Sequence, residues 1–426
     1  VSRFVRDSLH TLSFSMINRV LSILVGIVMA RALGPVGKGE IAYAMMALGF
    51  FVVAIGGLTQ AVTYQYGRNG VPGGAVYAAM IRILGVLSAV SMIALTAVAL
   101  YVPSQLVLLW VVPAIPFALY GEATIGLLLG AEQIAATNVQ RVFANAGFNF
   151  AAIVALAVFH APAEVVLELW IAGYVAGALY AAHAVRPFVR EGRVDRPIVE
   201  EQARFAAKSG LATGAGYVNM RVNVVVVSLL LGPAALGVYT LAIGLGELLW
   251  QFSQPLCWAG FGRMATAPFD ESAAFTAKVT RHVIALLVPL AIVAFVAAPR
   301  LVTLVYGEAF AGAGSALRWL LPGIVAYSIE APLGYFLLVK LGRPMLIVAI
   351  QSASSIACIA VTLLTVRTWG IDGAALASSV TYISVVAAKA WIFCRATGVP
   401  AAKLFAIDAD DLRGAPFARR FLGARG

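Results

Sequence analysis

The sequence predicts an all-α polytopic membrane protein with about twelve transmembrane helices in two pseudo-symmetric six-helix bundles. Three observations carry that prediction. Of the 426 residues, 62% are apolar and only 12% are charged, against roughly 45–50% and 25% in soluble domains. Mean hydropathy is +0.93, and so few polar residues could not cover the surface of soluble domains of this size. Apolar runs of ~20 residues, enough to span a bilayer, recur between glycines, prolines and charges. A motif then returns six runs later.

The first half holds runs at 8–32, 40–65, 76–101, 105–129, 142–160 and 164–185; the second holds 209–231, 236–258, 282–299, 314–339, 345–366 and 372–396. They are uniformly apolar, which suits helices; barrel strands are ~10 residues long and alternate. The first run follows Arg3 and Arg6 and ends near Ala30-Arg31-Ala32, which resembles a signal-peptide cleavage site. Asn18-Arg19 interrupts that run, and the run is long enough to span, so it reads as the first membrane helix. The polar segment 186–208 reads as a basic cytoplasmic linker between an N-terminal lobe, 1–185, and a C-terminal lobe, 209–396. Residues 397–426, rich in Ala, Arg and Asp, read as a cytoplasmic tail.

The net charge is +11, from 30 Lys and Arg against 19 Asp and Glu. With the N-terminus inside, the inner segments hold Arg3, Arg6, Arg68, Arg82, Arg141, Arg186, Arg190, Arg193, Arg196, Arg204 and Lys208. They also hold Arg263, Lys278, Arg281, Lys340, Arg343, Arg395, Lys403, Arg413, Arg419, Arg420 and Arg425. The outer segments hold Arg31, Lys38, Arg300 and Arg367. Basic residues concentrate on the cytoplasmic side of membrane proteins, so both termini are expected there. That asymmetry accounts for the charge without a nucleic-acid partner. The three cysteines, Cys257, Cys358 and Cys394, form no CxxC pair, and the four histidines do not cluster. Neither a metal site nor a disulfide framework is expected.

The repeat lies where the first and seventh runs end. Leu33-Gly34-Pro35, then Gly39 and Ala44, matches Leu231-Gly232-Pro233, then Gly237 and Ala242. Runs four and ten match more loosely: Pro113, Glu122, Gly126 and Gly130 against Pro322, Glu330, Gly334 and Gly342. Both matches are six runs apart, which points to a duplication in parallel orientation. Small-residue spacings, as around Gly244 and Gly246, read as helix packing.

An ionisable residue within a span costs ~2.5–3.5 kcal/mol on insertion scales and is a functional candidate by default. Arg19 lies in the first run, on a face with Ser15, Asn18, Ser22 and Gly26. Arg221 lies in the seventh, with Tyr217 and Ser228 on its face and Asn219 roughly opposite. Glu122, Glu247 and Glu330 are also in spans, while Arg318 and Lys389 are close enough to span ends to snorkel. On a functional reading these residues line a polar cavity between the halves. Arg19, Asn18, Arg221, Arg318 and Lys389 bind an anionic substrate such as a diphosphate, which guanidinium matches bidentately. Glu122, Glu247 and Glu330 couple transport to a proton or sodium ion. The structural alternative is mutual neutralisation as interhelical ion pairs. There is no Walker A sequence, H-E-x-x-H or G-x-S-x-G, so neither an enzyme nor a cofactor is implied.

Arg31-Ala32-Leu33-Gly34-Pro35 with Gly39 and Ala44, the basic start and linker, and Trp369-Gly370-Ile371-Asp372-Gly373-Ala374-Ala375 give a resemblance across about 1–396. The chain resembles bacterial polysaccharide flippases of the superfamily that includes multidrug and toxic compound extrusion transporters. The resemblance implies a two-lobed fold, alternating access, and a place in the bacterial cytoplasmic membrane. It also implies an undecaprenyl-diphosphate-linked oligosaccharide as substrate, with Arg19 and Arg221 facing the diphosphate or an acidic sugar. Membrane lipids and other polysaccharide-assembly proteins are the expected partners. Lipid II flippases of this superfamily usually have fourteen spans, so twelve points away from that branch. A cation-coupled drug or metabolite antiporter is the nearest alternative and would favour an acidic, aromatic cavity. A glycan polymerase or ligase would need a larger outer loop than 300–313.

Overall fold

The structure, a computed structural model, describes residues 3–189 and 195–407. Arg190 and Arg193 of the linker, and tail residues Arg413, Arg419, Arg420 and Arg425, lie outside the described residues. Nine of the described helices are long and apolar enough to cross a membrane. Three of these, of 51, 62 and 54 residues, are too long for one crossing of a ~30 Å hydrocarbon core. Each breaks at one glycine: Gly34 in α1 (Arg3–Thr63), Gly232 in α7 (Arg196–Thr266) and Gly370 in α11 (Pro344–Thr397). The three broken helices supply two crossings each and the other six supply one, which makes twelve among the described residues.

The glycines explain the breaks. Their φ/ψ angles are 65/−173°, 80/−178° and 54/−134°, in or near a region that is essentially glycine-only. Pro35 and Pro233 follow the first two and have no N–H to leave unpaired. In the first half α2 (Gly73–Tyr101), α3 (Ile115–Gly130) and α6 (Ala163–Val185) cross singly. A further crossing runs from α4 (Ile134–Arg141) through a π-helical turn into α5 (Phe148–Ala157). In the second half α8 (Phe269–Tyr306) is one crossing, and α9 (Ala311–Ser328) with α10 (Glu330–Val339) forms another. The short α12 (Ala401–Phe405) follows. Residues 196–208, expected as linker, are already helical and continue into the seventh span.

The chain forms two compact units. One holds the described residues through Val218 together with Gly232–Gly237. Within it the two copies of the repeated motif meet reciprocally. A Cβ on Gly39 would strike the Pro233 carbonyl, and a Cβ on Gly237 would strike the Pro35 carbonyl. Backbone approaches backbone here because both positions are glycine. Gly126 lies in the same way against the Thr59 carbonyl, and the Tyr217 hydroxyl donates to the Met46 carbonyl at 3.1 Å.

The other unit holds Asn219–Leu231 and the described residues from Val238 onward. Its central joint lies beside Pro322. The Gly323 amide donates to Ser379 Oγ at 3.1 Å, and the Ser379 hydroxyl donates to the Trp319 carbonyl. A side chain of α11 thereby stands in for one rung of the α9 backbone ladder. Large apolar side chains such as Ile93, Val296, Ile356 and Leu364 are exposed, as suits a surface in contact with lipid.

Gly39→Ala is expected to cost about 1–3 kcal/mol through overpacking and to lower the thermal midpoint of the detergent-solubilised protein. Gly56→Ala, where a Cβ meets open space, is the control. Equal midpoints for the two variants would refute the close-approach account.

Candidate functional site

In the first unit, α1 and α5 share a polar contact. The buried Asn149 donates through Nδ2 to Ser22 Oγ at 3.0 Å and to Asn18 Oδ1 at 3.4 Å. Asn18 therefore turns toward another helix. Arg19, one residue further round, is exposed and has no ion pair among the described residues. It lies ~22 Å of helix from Gly34.

Glu122, on α3, lines a pocket of about 150 Å³ with Gln140, Arg141, Asn145 and Tyr174. Gln140 Nε2 donates to the Gly121 carbonyl at 2.6 Å, while its buried Oε1 has no partner among the described residues. The pocket thus contains a carboxylate, a guanidinium and an unused carbonyl acceptor.

In the second unit, the two arms of α7 bring Arg221 and Glu247 together across the Gly232 break. Two parallel bonds join them: Nη1 to Oε1 at 2.7 Å and Nη2 to Oε2 at 3.1 Å. This is the bidentate geometry that makes Arg–carboxylate pairs strong. Each side chain keeps about a quarter of its surface exposed, 25% and 27%.

Glu330 opens α10 and pairs with Lys389 of α11, whose side chain is fully buried. Gly334, one turn after Glu330, leaves room for the ammonium; a Cβ there would lie 3.3 Å from Lys389 Nζ. Gln351 Nε2 donates to Tyr327 OH at 3.2 Å and to Glu330 Oε1 at 3.4 Å. Trp250, Tyr327 and Tyr382 pack alongside, with the tyrosine ring centroids 4.6 Å apart. Asn219 Nδ2 donates to the Gln351 carbonyl at 3.3 Å, and Asn223 Nδ2 donates to Ser378 Oγ at 2.7 Å.

The structure therefore joins Arg221 to Glu247 and Lys389 to Glu330. Arg318 goes elsewhere: Nε donates to the Phe295 carbonyl at 2.7 Å, and the guanidinium lies 5.0 Å over the Phe295 ring. Sequence reasoning passed over Gln140, Asn149, Asn223 and Gln351. A signal for one of them was present: Asn223 stands four residues after Asn219, on the face opposite Arg221.

A helical fold of twelve crossings among the described residues, with charges paired inside its second unit, defines a multi-pass membrane protein. Residues 28–314 match the family model described as polysaccharide biosynthesis protein, and the chain belongs to that family. No curated protein matches the chain. Among solved structures it is similar to an inward-facing multidrug resistance MATE family transporter of the MOP superfamily. That likeness has a TM-score of 0.70 at 13% identity, over 89% of this chain and 94% of that one. The lipid II flippase MurJ, in an inward closed conformation, matches with a TM-score of 0.72 at 12% identity, over 94% and 91%. A MOP superfamily transporter from Pyrococcus furiosus gives 0.63 at 13%, over 94% and 95%. At these identities the likeness is one of fold.

Breaking a buried ion pair from one side costs about 3–5 kcal/mol, because the remaining charge stays buried. Lys389→Met is therefore expected to destabilise strongly, and adding Glu330→Gln to recover most of the loss. A double variant no more stable than Lys389→Met would show that the two groups are not energetically coupled.

Proposed function

We propose that the protein is a flippase that carries undecaprenyl-diphosphate-linked oligosaccharide units across the cytoplasmic membrane by alternating access, for surface polysaccharide assembly. The family supports this reading, since its members are polysaccharide biosynthesis proteins. The observation that carries it is Arg19. An exposed guanidinium without an ion pair among the described residues is costly within a membrane span unless it faces water or an anion. A diphosphate head group supplies that anion, and guanidinium engages it with two parallel bonds.

On this reading Arg19 and Asn18 contact the head group from the N-terminal lobe, 1–185. Arg221 contributes from the C-terminal lobe, 209–396, by exchanging Glu247 for the substrate phosphate. Arg318 and Lys389 are further contributors on this reading, Lys389 only by releasing Glu330 and Arg318 by leaving the Phe295 carbonyl. Glu122 and Glu247 are the carboxylates proposed to take the coupling proton or sodium ion, and Glu330 would join them only by releasing Lys389. Residues 186–208 and 397–426 lie on the cytoplasmic side with both termini, where polysaccharide-assembly proteins would dock. The cycle contains no bond-making step, so no enzyme activity is assigned.

A cation antiporter draws support from the aromatic cluster beside Glu330. The Lys389 ammonium already occupies that carboxylate, which favours the flippase.

Deletion of the gene in its source organism is expected to leave lipid-linked repeat units on the cytoplasmic side and to remove the surface polymer. The intact gene should reverse both effects, and the Arg19→Ala variant should reverse them poorly despite normal membrane levels. Unchanged glycans with raised sensitivity to cationic drugs would favour the antiporter. Normal export by an Arg19→Ala, Arg221→Ala double variant would remove both residues from the substrate path.

A further inference from the structure

The second unit carries a groove that the proposed transport path does not use. A cavity of about 580 Å³ opens on its surface between α8, α9, the second arm of α11 and α12. Small side chains, Ala326, Ala387 and Ala390, make its floor; Ile284, Trp391 and Phe405 are among its walls. Beside it the Ser379 hydroxyl draws α9 onto α11. The groove follows α11 from Ile383 to Cys394, a helix length of ~17 Å. That is about half of a ~30 Å hydrocarbon core, the depth of one leaflet.

One end of the groove is basic. There α12 is seated by the fully buried Leu404 and by Arg281, whose Nη1 donates to the Lys403 carbonyl at 2.6 Å. Lys403 is exposed on that helix. The Arg395 guanidinium lies 5.4 Å from the ring centroid of Trp391, itself a wall residue. Arg281 and Lys403 thus lie on the α12 wall and Arg395 beside the Trp391 wall, at the end of the groove a lipid head group would reach.

We propose that this groove binds an anionic phospholipid from the leaflet on the α12 side. One acyl chain lies in the trough, and the phosphate sits among Arg281, Lys403 and Arg395. Two observations select this occupant. The trough is almost wholly apolar and opens to the bilayer, where hydrocarbon chains are the neighbours. Basic clusters between transmembrane helices at the cytoplasmic face suit anionic head groups. The length discriminates as well: an acyl chain spans one leaflet, as the groove does, while a polyprenyl carrier is far longer. The site stands independently of the flippase reading.

The test is native mass spectrometry of the full-length chain in mild detergent, with phosphatidylglycerol and phosphatidylcholine as probes. Phosphatidylglycerol is expected to be retained in preference. Ala387→Trp fills the groove from an exposed position, so the core is untouched, and it should abolish that retention. Arg395→Gln with Lys403→Gln should cut the preference by about tenfold or more, given the usual contribution of each basic residue at a membrane surface. Equal retention of the two lipids by the unaltered chain would overturn the proposal, as would undiminished retention by Ala387→Trp. Displacement of phosphatidylglycerol by equimolar polyprenyl phosphate would also overturn it and give the groove to the carrier lipid.

Discussion

Within lipid, a backbone group that leaves its helical partner must find another inside the protein, because no water is there to replace it. The rest of this structure is arranged around that constraint. The long helices α1 and α7 break at Gly-Pro steps, where proline removes a donor at the break itself. Helix α9 carries Pro322 inside it, and Ser379 bridges the next rung of its ladder by accepting from one amide and donating to the carbonyl that amide would otherwise have used. Hydroxyls elsewhere on α1 bind neighbouring backbone in the same way. Thr59 and Thr63 donate to the carbonyls of Glu122 and Gly126. These bonds tie helices together and need little side-chain length, so glycines can sit beside them and let backbones approach closely.

The same constraint acts more severely on charge. An uncompensated ammonium at the position of Lys389 would be intolerable, and its companion Glu330 is held at the start of α10 with Gln351 as a second donor. Arg221 and Glu247 solve the problem on the two arms of one broken helix. The Gly232 break therefore does more than turn the chain: it folds the second arm back far enough for residues 26 apart to form a two-bond ion pair. Arg19 differs from these pairs: it is exposed and without an ion pair among the described residues.

Much of the fold was legible because span length is a local property. The twelve crossings follow from apolar runs, and the two Gly-Pro breaks follow from the repeated Leu-Gly-Pro. The reciprocal fit of Gly39 and Gly237 was implicit in the repeat, since two copies of a small-residue motif are suited to meet each other. The start of the seventh helix was missed by a dozen residues. The segment 196–208 is amphipathic and charged, and polarity read as linker while i, i+4 pairing such as Arg196 with Glu200 supports helix. The charged residues were legible as a set but not as pairs. Glu330 and Lys389 are 59 positions apart, and their meeting depends on the rotation of two helices about their own axes, which composition does not record. Lys389 looked close enough to a span end to snorkel; its place beside Glu330 keeps it fully buried instead.

The two halves place similar sequence in different surroundings. Glu122 and Glu330 stand at matching places in the fourth and tenth crossings, each with a glycine four residues later. In the second unit that glycine makes space for a lysine, and the carboxylate is tied into an ion pair beside Gln351. In the first unit the corresponding Gly126 is spent on a backbone contact with Thr59. The carboxylate there lines a small pocket that also holds Arg141 and a glutamine with an unused acceptor. A carboxylate already tied to a buried ammonium can change partner only by stranding a charge, whereas one beside a pocket with spare acceptors can take up and release a small cation at lower cost. The two carboxylates thus differ in what surrounds them: Glu330 is tied to a buried ammonium and a glutamine donor, while Glu122 lines a pocket beside Arg141.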